Sequence, residues 1–198
     1  KLLEIMAERY DFEWFCLTRS EVLNRDLIRQ MKKAGCYLIM LGIDTIDPKS
    51  QKDQKRHQDS EKIKDLISLS RDNGIQILVH GIIGLPGEKL LSTLRTIHFI
   101  SGTKSNYLSL NYFSPRAGSI YAPTLSLNSE LDSAFIKKRP LSMAIIKFYA
   151  LFIYYLNPAR IFANLRMCKN KRQLFETILT GYHMFFPSLG SNKVSSKL

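Results

Sequence analysis

Four short loops in the first 120 residues carry the residue types that could do chemistry. Each follows an apolar, β-prone run, and together they cover residues 18–19, 42–45, 81–88 and 114–119. In parallel sheets with helices outside, chemistry sits in the loops that leave the carboxyl ends of the strands. We therefore expect these four loops to meet at one mouth.

The Gly-Leu-Pro-Gly-Glu loop at residues 84–88 is the sharpest local signal. Its glycines let the backbone turn tightly and approach a flat ligand, while Pro86 stiffens the loop. Free N–H groups at the start of the following helix would face a bound group. An ordinary strand-to-helix turn uses the same residues, so this loop alone leaves both interpretations open.

The other loops add polar groups at the same edge. Asp44 and Thr45 offer a carboxylate and a hydroxyl that suit a ribose diol, although the pair could also begin a capped turn. Arg19 could hold a carboxylate through two parallel hydrogen bonds, or could be an ordinary surface arginine. Residues 114–119 are predicted to form a further rigid turn near the same mouth.

A strand–helix alternation must position these loops. The apolar patterns predict helices between successive strands, the first capped by Asn24 and the second by Asp59 or Ser60, while Glu88 opens the third. Residues 44–58 are predicted to be a polar loop. Three strand–helix–strand units in a row indicate right-handed crossovers and a parallel sheet. The predicted strands are residues 14–18, 37–41, 75–79 and 107–112.

Beyond about residue 130 the pattern indicates helices only. We predict helices at residues 141–156, 160–168 and 172–185, followed by a tail from residue 188. The run at 141–156 is strongly apolar but contains Lys147 and is shorter than the roughly twenty residues that a membrane span needs. It is better interpreted as a buried or partner-facing helix.

The chain is basic, with 29 Lys and Arg against 17 Asp and Glu and a formal charge of +12. Such a charge favours contact with anions, although a generally basic surface without a dedicated partner is the simpler explanation. No basic motif interleaved with aromatic residues accompanies it, so nucleic acid is not an expected partner. A membrane surface stays open as a partner.

The three cysteines, at positions 16, 36 and 168, form no C-x-x-C or C-x-x-x-C pair. They cannot make a disulfide framework or a metal site of neighbouring residues, and no metal ligand is assigned. Cys16 and Cys36 are interpreted as small buried hydrophobic residues. This cysteine usage indicates a reducing, cytoplasmic compartment.

Five motifs, in this order and spacing, resemble the radical S-adenosylmethionine (radical SAM) superfamily, and within it the cobalamin-binding subgroup. The likeness covers residues 12–122 well and residues 140–185 weakly. The motifs are Met31-Lys-Lys-Ala-Gly-Cys36, Gly42-Ile-Asp-Thr45, Gly74-Ile75, the Ile-Ile-Gly-Leu-Pro-Gly-Glu run at 82–88, and Pro115-Arg-Ala-Gly-Ser119.

The resemblance implies an α/β fold in which the chain is the carboxyl-terminal half of a partial (β/α) TIM-like barrel. Residues 1–125 would be that half-barrel, residues 126–187 a helical extension and residues 188–198 a disordered tail. The sequence starts inside a helical pattern, without an initiator Met or a signal peptide. We therefore expect a fragment of a longer protein.

The family's chemistry depends on a C-x-x-x-C-x-x-C loop that binds a [4Fe–4S] cluster, where S-adenosylmethionine (SAM) is cleaved to a 5′-deoxyadenosyl radical. The resemblance implies methyl transfer, oxidative cyclisation or methylthiolation at an unactivated carbon, with cobalamin as a further cofactor. The substrate would be a small molecule, a lipid or a tetrapyrrole. A flavodoxin or ferredoxin would donate the electron.

Carried over to this chain, the family's pattern gives Asp44 and Thr45 as contacts of the ribose. Ile83 and Gly84 would lie against the adenine, and Arg19 would sit near the methionine carboxylate. No catalytic residue is assigned by the resemblance.

Two further segments complete the implied pocket. Pro115 begins the turn after the fourth strand, and the backbone of residues 111–114 would border the adenine. The chain departs from the family where Asp44 replaces the usual Glu and where Arg116 and Ala117 replace an aromatic residue and a proline. Lys55 or Arg56 is nearest to a lysine that the family carries in the loop after the second strand.

The cluster-binding cysteines are missing from these 198 residues. The chain alone is therefore expected to be inactive, with the longer parent protein as the enzyme. One alternative is a degenerate, non-catalytic half-barrel that binds a nucleotide, which the Asp44 and Arg116 departures favour. Another is a membrane- or partner-docking module, which the apolar helix at 141–156 and the basic charge favour.

Overall fold

The computed structural model describes residues 1–53, 55–114, 141–167 and 175. Its strands pair in parallel in the order β1-β2-β3-β4, so each strand lies beside the next one along the chain. A helix stands in each connection, which is the pattern of a (β/α) barrel. The strands are β1 (Trp14–Arg19), β2 (Cys36–Gly42), β3 (Gln76–Ile83) and β4 (Tyr107–Tyr112).

Seven α-helices are described, five before β4 in the sequence and two after residue 140. They are α1 (Leu2–Arg9), α2 (Arg25–Lys33), α3 (Pro48–Asp53), α4 (Ser60–Asp72), α5 (Leu90–Gly102), α6 (Leu141–Tyr155) and α7 (Pro158–Met167).

The predicted helix ends follow from local chemistry. The Asn24 side chain caps α2 by accepting a hydrogen bond from the Leu27 N–H at 2.8 Å, and Asp59 caps α4 in the same way. Gly35 ends the α2 turn with a φ of +89°, where a Cβ would overlap the Phe12 carbonyl oxygen. Only glycine fits at that position, because both the backbone angle and the space exclude a side chain.

One face of the sheet carries the core. Ile39, Leu41, Ile77, Val79 and Leu108 alternate along β2, β3 and β4 and are almost fully buried. Burial of such side chains stabilises the fold by roughly 1.5–3 kcal/mol each. Helices α2, α4 and α5 cover this face with Ile28, Ile63, Ile67 and Ile97.

The opposite face, which we call the inner face, is open in the described part of the chain. Phe15 and Leu17 on β1 are 54% and 70% exposed. Their ladder partners Leu38 and Met40 on β2 point the same way and are only partly buried. The inner face would point into the interior of a (β/α) barrel.

Three boundaries differ from the predictions. A short helix, α3, interrupts the predicted loop at 44–58, because Asp47 accepts hydrogen bonds from the Ser50 N–H and hydroxyl at 3.0 Å. Strand β3 continues to Ile83, where 75–79 was predicted. Helix α5 begins at Leu90, since the Glu88 side chain turns away to bind Thr45.

Helices α6 and α7 lie where the apolar runs at 141–156 and 160–168 predicted them. Within the described ranges, no helix is long and apolar enough to cross a membrane. The chain divides into two compact units between Lys147 and Phe148. The predicted domain limit at 125–126 and the tail at 188–198 lie outside the described residues, as does the predicted helix at 172–185 apart from Phe175.

Candidate functional site

A single register row crosses all four strands, at the last residues of β1 and β2 and in the middle of β3 and β4. Arg19 pairs with Gly42, Gly42 with His80, and His80 with Ser109. Paired residues in a parallel ladder point to the same face, so Arg19, His80 and Ser109 share the inner face. A Cβ at Gly42 would meet no atom within 4 Å, which leaves open space between the guanidinium and the imidazole.

Asp44 lies just beyond this row and is held by Arg56. Its Oδ2 accepts a short hydrogen bond from Arg56 Nη1, and the residue is 9% exposed. Burial raises the pKa of Asp44, and the charges of Arg56, Arg19 and His80 act in the opposite direction. Its second oxygen, Oδ1, accepts no hydrogen bond from the described residues, so one carboxylate oxygen remains available to a ligand.

Thr45 joins two of the predicted loops. Its hydroxyl donates to Glu88 Oε1 at 2.6 Å and accepts from the Asp47 N–H at 3.0 Å. Glu88 Oε2 accepts a second hydrogen bond, from the Thr93 hydroxyl at 3.1 Å. Burial raises the pKa of Glu88, whereas the hydrogen bonds from Thr45 and Thr93 lower it. The ribose contact of Thr45 stays a prediction, and it would require this buried hydroxyl to exchange its partner.

Ile83 and Gly84 form the tip of β3. The Ile83 side chain is buried on the helix-covered face, and its carbonyl accepts from the Phe113 N–H at 2.8 Å. Gly84 has a φ of +84°, and a Cβ there would lie 2.7 Å from Met143 Cε. A flat ligand placed on Gly84 would therefore also meet Met143, from the first turns of α6.

The β4 side of the mouth is described only as far as Ser114. Lys147 Nζ lies 5.0 Å from the centroid of the Tyr112 ring, so α6 also borders this strand end. Residues 111–114 are the last two residues of β4 and the two that follow it, and their place at the border of an adenine stays a prediction. Pro115 lies outside the described residues, and its role stays a prediction.

The structure gives two residues, His80 and Arg56, a larger role at this site than the sequence indicated. His80 was not selected as a site residue, although its alternation with Val79 could have placed it on the inner face. Burial lowers the pKa of His80 below its usual value, and the charge of the nearby Asp44 carboxylate opposes this effect in part. Arg56 was one of two candidates for a cationic position, and the structure pairs it with Asp44.

The residues that the structure describes do not fit an iron–sulfur cluster. No group of three or more His, Cys, Asp or Glu side chains in the described residues is placed to hold a metal ion. Cys36 is buried at the start of β2, as predicted, and Cys16 on β1 is half-buried. Both thiols lie within strands rather than in a loop, where three thiolates would have to converge.

A groove of about 450 Å³ opens at the opposite edge of the sheet. Ala7, Tyr10, Phe12 and Gly35 line it, at the amino-terminal ends of β1 and β2. It does not include any of the predicted site residues. In folds of this kind the amino-terminal edge serves stability, whereas chemistry sits at the carboxyl-terminal edge.

The fold and the strand tips thus define a parallel (β/α) half-barrel with a polar mouth. The sequence profile of the Radical SAM superfamily matches residues 1–100. The chain belongs to the radical SAM superfamily. A curated relative, the uncharacterized methyltransferase PH0819 of Pyrococcus horikoshii, is 24% identical over 116 residues, which are 59% of this chain and 25% of the relative.

Solved structures show the same fold. The radical SAM methyltransferase TsrM from Kitasatospora setae, solved with cobalamin and a [4Fe–4S] cluster bound, aligns with a TM-score of 0.52 and 17% identity over 56% of this chain and 24% of its own. Elp3 from Methanocaldococcus infernus aligns with a TM-score of 0.54 and 18% identity, over 75% and 35%. These likenesses confirm the predicted fold class. The chain spans about a quarter of the length of PH0819 and of TsrM.

Proposed function

We propose that this chain forms the carboxyl-terminal part of the SAM-binding barrel of a radical SAM enzyme. One observation carries the proposal: hydrogen bonds between side chains hold the polar tips of β2 and β3 together. Thr45 binds Glu88 across 43 residues of sequence, which fixes the Asp44 loop beside the Gly84 loop. Arg19 and His80 lie in the register row immediately below.

In this proposal the backbone of Ile83 and Gly84 meets the adenine, since Gly84 has no side chain of its own, and the Met143 side chain that lies against Gly84 moves aside to admit the ring. The free Oδ1 of Asp44 accepts a hydrogen bond from the ribose, with Thr45 and Pro115 completing the predicted contacts. Arg19 donates no hydrogen bond and forms no ion pair in the part of the chain that the structure describes. Its guanidinium is therefore available for the methionine carboxylate.

The chemistry of the parent protein extends this proposal. In the parent protein a [4Fe–4S] cluster would supply the electron for SAM cleavage, and cysteines outside these 198 residues would hold it. Methyl transfer is the favoured reaction, since PH0819 and TsrM are both described as methyltransferases. Cobalamin is a proposed further cofactor on the likeness to TsrM, and a flavodoxin or ferredoxin a proposed electron donor in the cytoplasm.

A binding experiment on the longer protein tests the role of the β3 tip. We expect the Gly84→Val variant to lose SAM binding by about tenfold or more, because a branched side chain would occupy the adenine position and strain the backbone. Gly87→Val is the matched control, since Gly87 has a φ of +74° in the same loop but open space around it. Equilibrium dialysis with labelled SAM measures both affinities.

Equal losses in the two variants would contradict the proposal, because they would report backbone strain rather than an adenine contact. Thermal melts of both variants identify any loss caused by unfolding. A wild-type protein that does not bind SAM after anaerobic reconstitution with iron and sulfide would also refute it.

The non-catalytic nucleotide-binding module remains a second candidate. It is favoured by the commitment of Asp44 to Arg56 and of Thr45 to Glu88, which leaves fewer free donors and acceptors at the mouth. Reductive cleavage distinguishes the two functions. An enzyme releases 5′-deoxyadenosine when dithionite is added, whereas a module binds SAM and releases none.

A further inference from the structure

Helix α6 begins beside the mouth. The Met143 Sδ and Cε atoms lie 3.2 Å and 2.7 Å from the position that a Cβ would take at Gly84. One turn further along α6, Lys147 Nζ lies 5.0 Å from the centroid of the Tyr112 ring, at the end of β4. Residues 141–147 belong to the same compact unit as the sheet. The start of α6 therefore packs on the tips of two neighbouring strands.

The side of α6 that meets the mouth also follows from the pattern of burial. Met143, Ile146 and Lys147 are partly buried, whereas Ala144 and Ile145 between them are exposed. Residues that are three and four apart lie on the same side of a helix. Helix α6 thus turns one side toward the strand tips, and Met143 is the residue of that side that lies against Gly84.

Methionine suits a position where a flat ring has to enter. Its unbranched side chain has three rotatable bonds, and its polarizable sulfur makes favourable contacts with aromatic rings. In the structure the Met143 methyl group fills the space above Gly84. A ring that enters there needs a separation of about 3.5 Å from the atoms on each side. Rotation of the Met143 side chain provides this room while the helix backbone stays in place.

We propose that the adenine of SAM binds in a slot between the backbone of Gly84 and the side chain of Met143. Gly84 forms one wall, because it has no side chain that would cover the backbone. Met143 moves aside and packs its thioether on the other face of the ring. The contact between Lys147 and Tyr112 holds α6 in place. This inference rests on the proposed function, and it adds to the SAM site a residue that lies outside the strand tips.

NMR of the longer protein, labelled with 13C at the methionine methyl groups, tests the slot directly. We expect SAM to move the Met143 methyl signal upfield, and farther than any other methionine methyl signal, because protons above the face of an aromatic ring are shielded. The Met143→Leu variant identifies the signal. Adenosine should move the signal in the same direction, whereas free methionine, which has no adenine, should leave it in place.

The outcomes separate this inference from the proposed function. If SAM binds and the Met143 signal does not move, the slot is wrong and the proposed function stands. A shift caused by free methionine alone would place Met143 beside the amino-acid part of SAM and would also overturn the slot. If the wild type does not bind SAM in equilibrium dialysis, the proposed function fails and the slot fails with it.

Affinity measurements on variants provide a second test. Met143→Ala should weaken SAM binding about fivefold or more, because one face of the adenine loses its contact. Met143→Leu should keep the affinity within about twofold, since leucine is apolar and similar in size. Met6→Ala is the matched control, because Met6 is also partly buried but lies on α1. Equilibrium dialysis with labelled SAM measures all three affinities.

An equal or higher SAM affinity in Met143→Ala would overturn the slot, because Met143 would then only obstruct the adenine position. Equal losses in Met143→Ala and Met6→Ala would also count against it, since they would report a general loss of stability. Thermal melts identify a variant that does not fold. In that case the methyl signal of the wild type decides, because that measurement depends on no destabilised variant.

Discussion

The two faces of the sheet are made by alternate residues of the same strands, yet they differ in what they do. Ile39 and Val79 on the covered face have no exposed surface, whereas Met40 and His80, next to them in sequence, are only partly buried. Stability therefore depends on one face, and the other is free to meet a ligand. Substitutions at neighbouring positions of β2 or β3 should therefore differ in kind: those on the covered face should lower stability, and those on the inner face should mainly affect ligand binding.

The largest expected effect comes from truncating a side chain on the covered face. Ile39→Ala should lower the free energy of unfolding by about 2–5 kcal/mol, because it leaves a cavity under the helices. Met40→Ala, one residue along on the inner face, should cost less than about half as much, since part of its side chain already contacts water. Urea denaturation of both variants measures the difference, and equal losses would show that the inner face is also packed.

Two strand glycines give a second, smaller contrast. Gly81 faces the helices, and a Cβ there would lie 2.7 Å from Leu110 Cδ2, so Gly81→Ala should cost about 1–3 kcal/mol through overpacking. Gly42→Ala meets no atom within 4 Å and should change stability by less than about 0.5 kcal/mol. Thermal melts compare them. A large loss of stability in the Gly42→Ala variant would contradict the open space beside Gly42, between Arg19 and His80.

The smallest expected effect concerns the pH dependence of stability and involves His80. Because burial lowers the pKa of His80 below its usual 6.5, the unfolded chain takes up a proton first as the pH falls. The stability contributed by the neutral imidazole is present above about pH 6.5 and declines as the pH falls through the lower folded value. His80→Gln should remove this decline, which urea titrations between about pH 5 and 7 measure.

An exposed histidine provides the control for that experiment. His98 on α5 is exposed to solvent. His98→Gln should therefore leave the pH dependence close to that of the wild type. If both variants reduce the pH dependence of stability equally, the inner face around His80 is as accessible to water as the protein surface.

Much of the fold could be predicted from local pattern. Asn24 and Asp59 cap the helices that the sequence assigned to them, and β4 has the predicted limits at Tyr107 and Tyr112. The predicted strand at 75–79 is too short, because a glycine at position 81 suggests the start of a loop. In the structure Gly81 lies within β3, where Leu110 packs closely against it. Helix α3 was missed, since its polar sequence carries no apolar stripe.

The candidate site was less accessible to sequence reasoning. The loops themselves were visible as glycine, proline and carboxylate clusters at strand ends. What each side chain does there depends on distant partners. Thr45 donates a hydrogen bond to Glu88, and Asp44 forms an ion pair with Arg56. The spacing of these residues along the chain does not predict either pairing.

The sequence by itself determined the alternation of strands and helices, the capping residues and the positions of the loops that bear chemistry. These depend on interactions between residues that are close along the chain. Only the tertiary structure decided that Arg19, Gly42 and His80 share one row, and that Met143 lies against Gly84. Strand register and helix packing set these contacts. The contacts join segments that are far apart along the chain, and the number of residues between two segments does not determine how they pack.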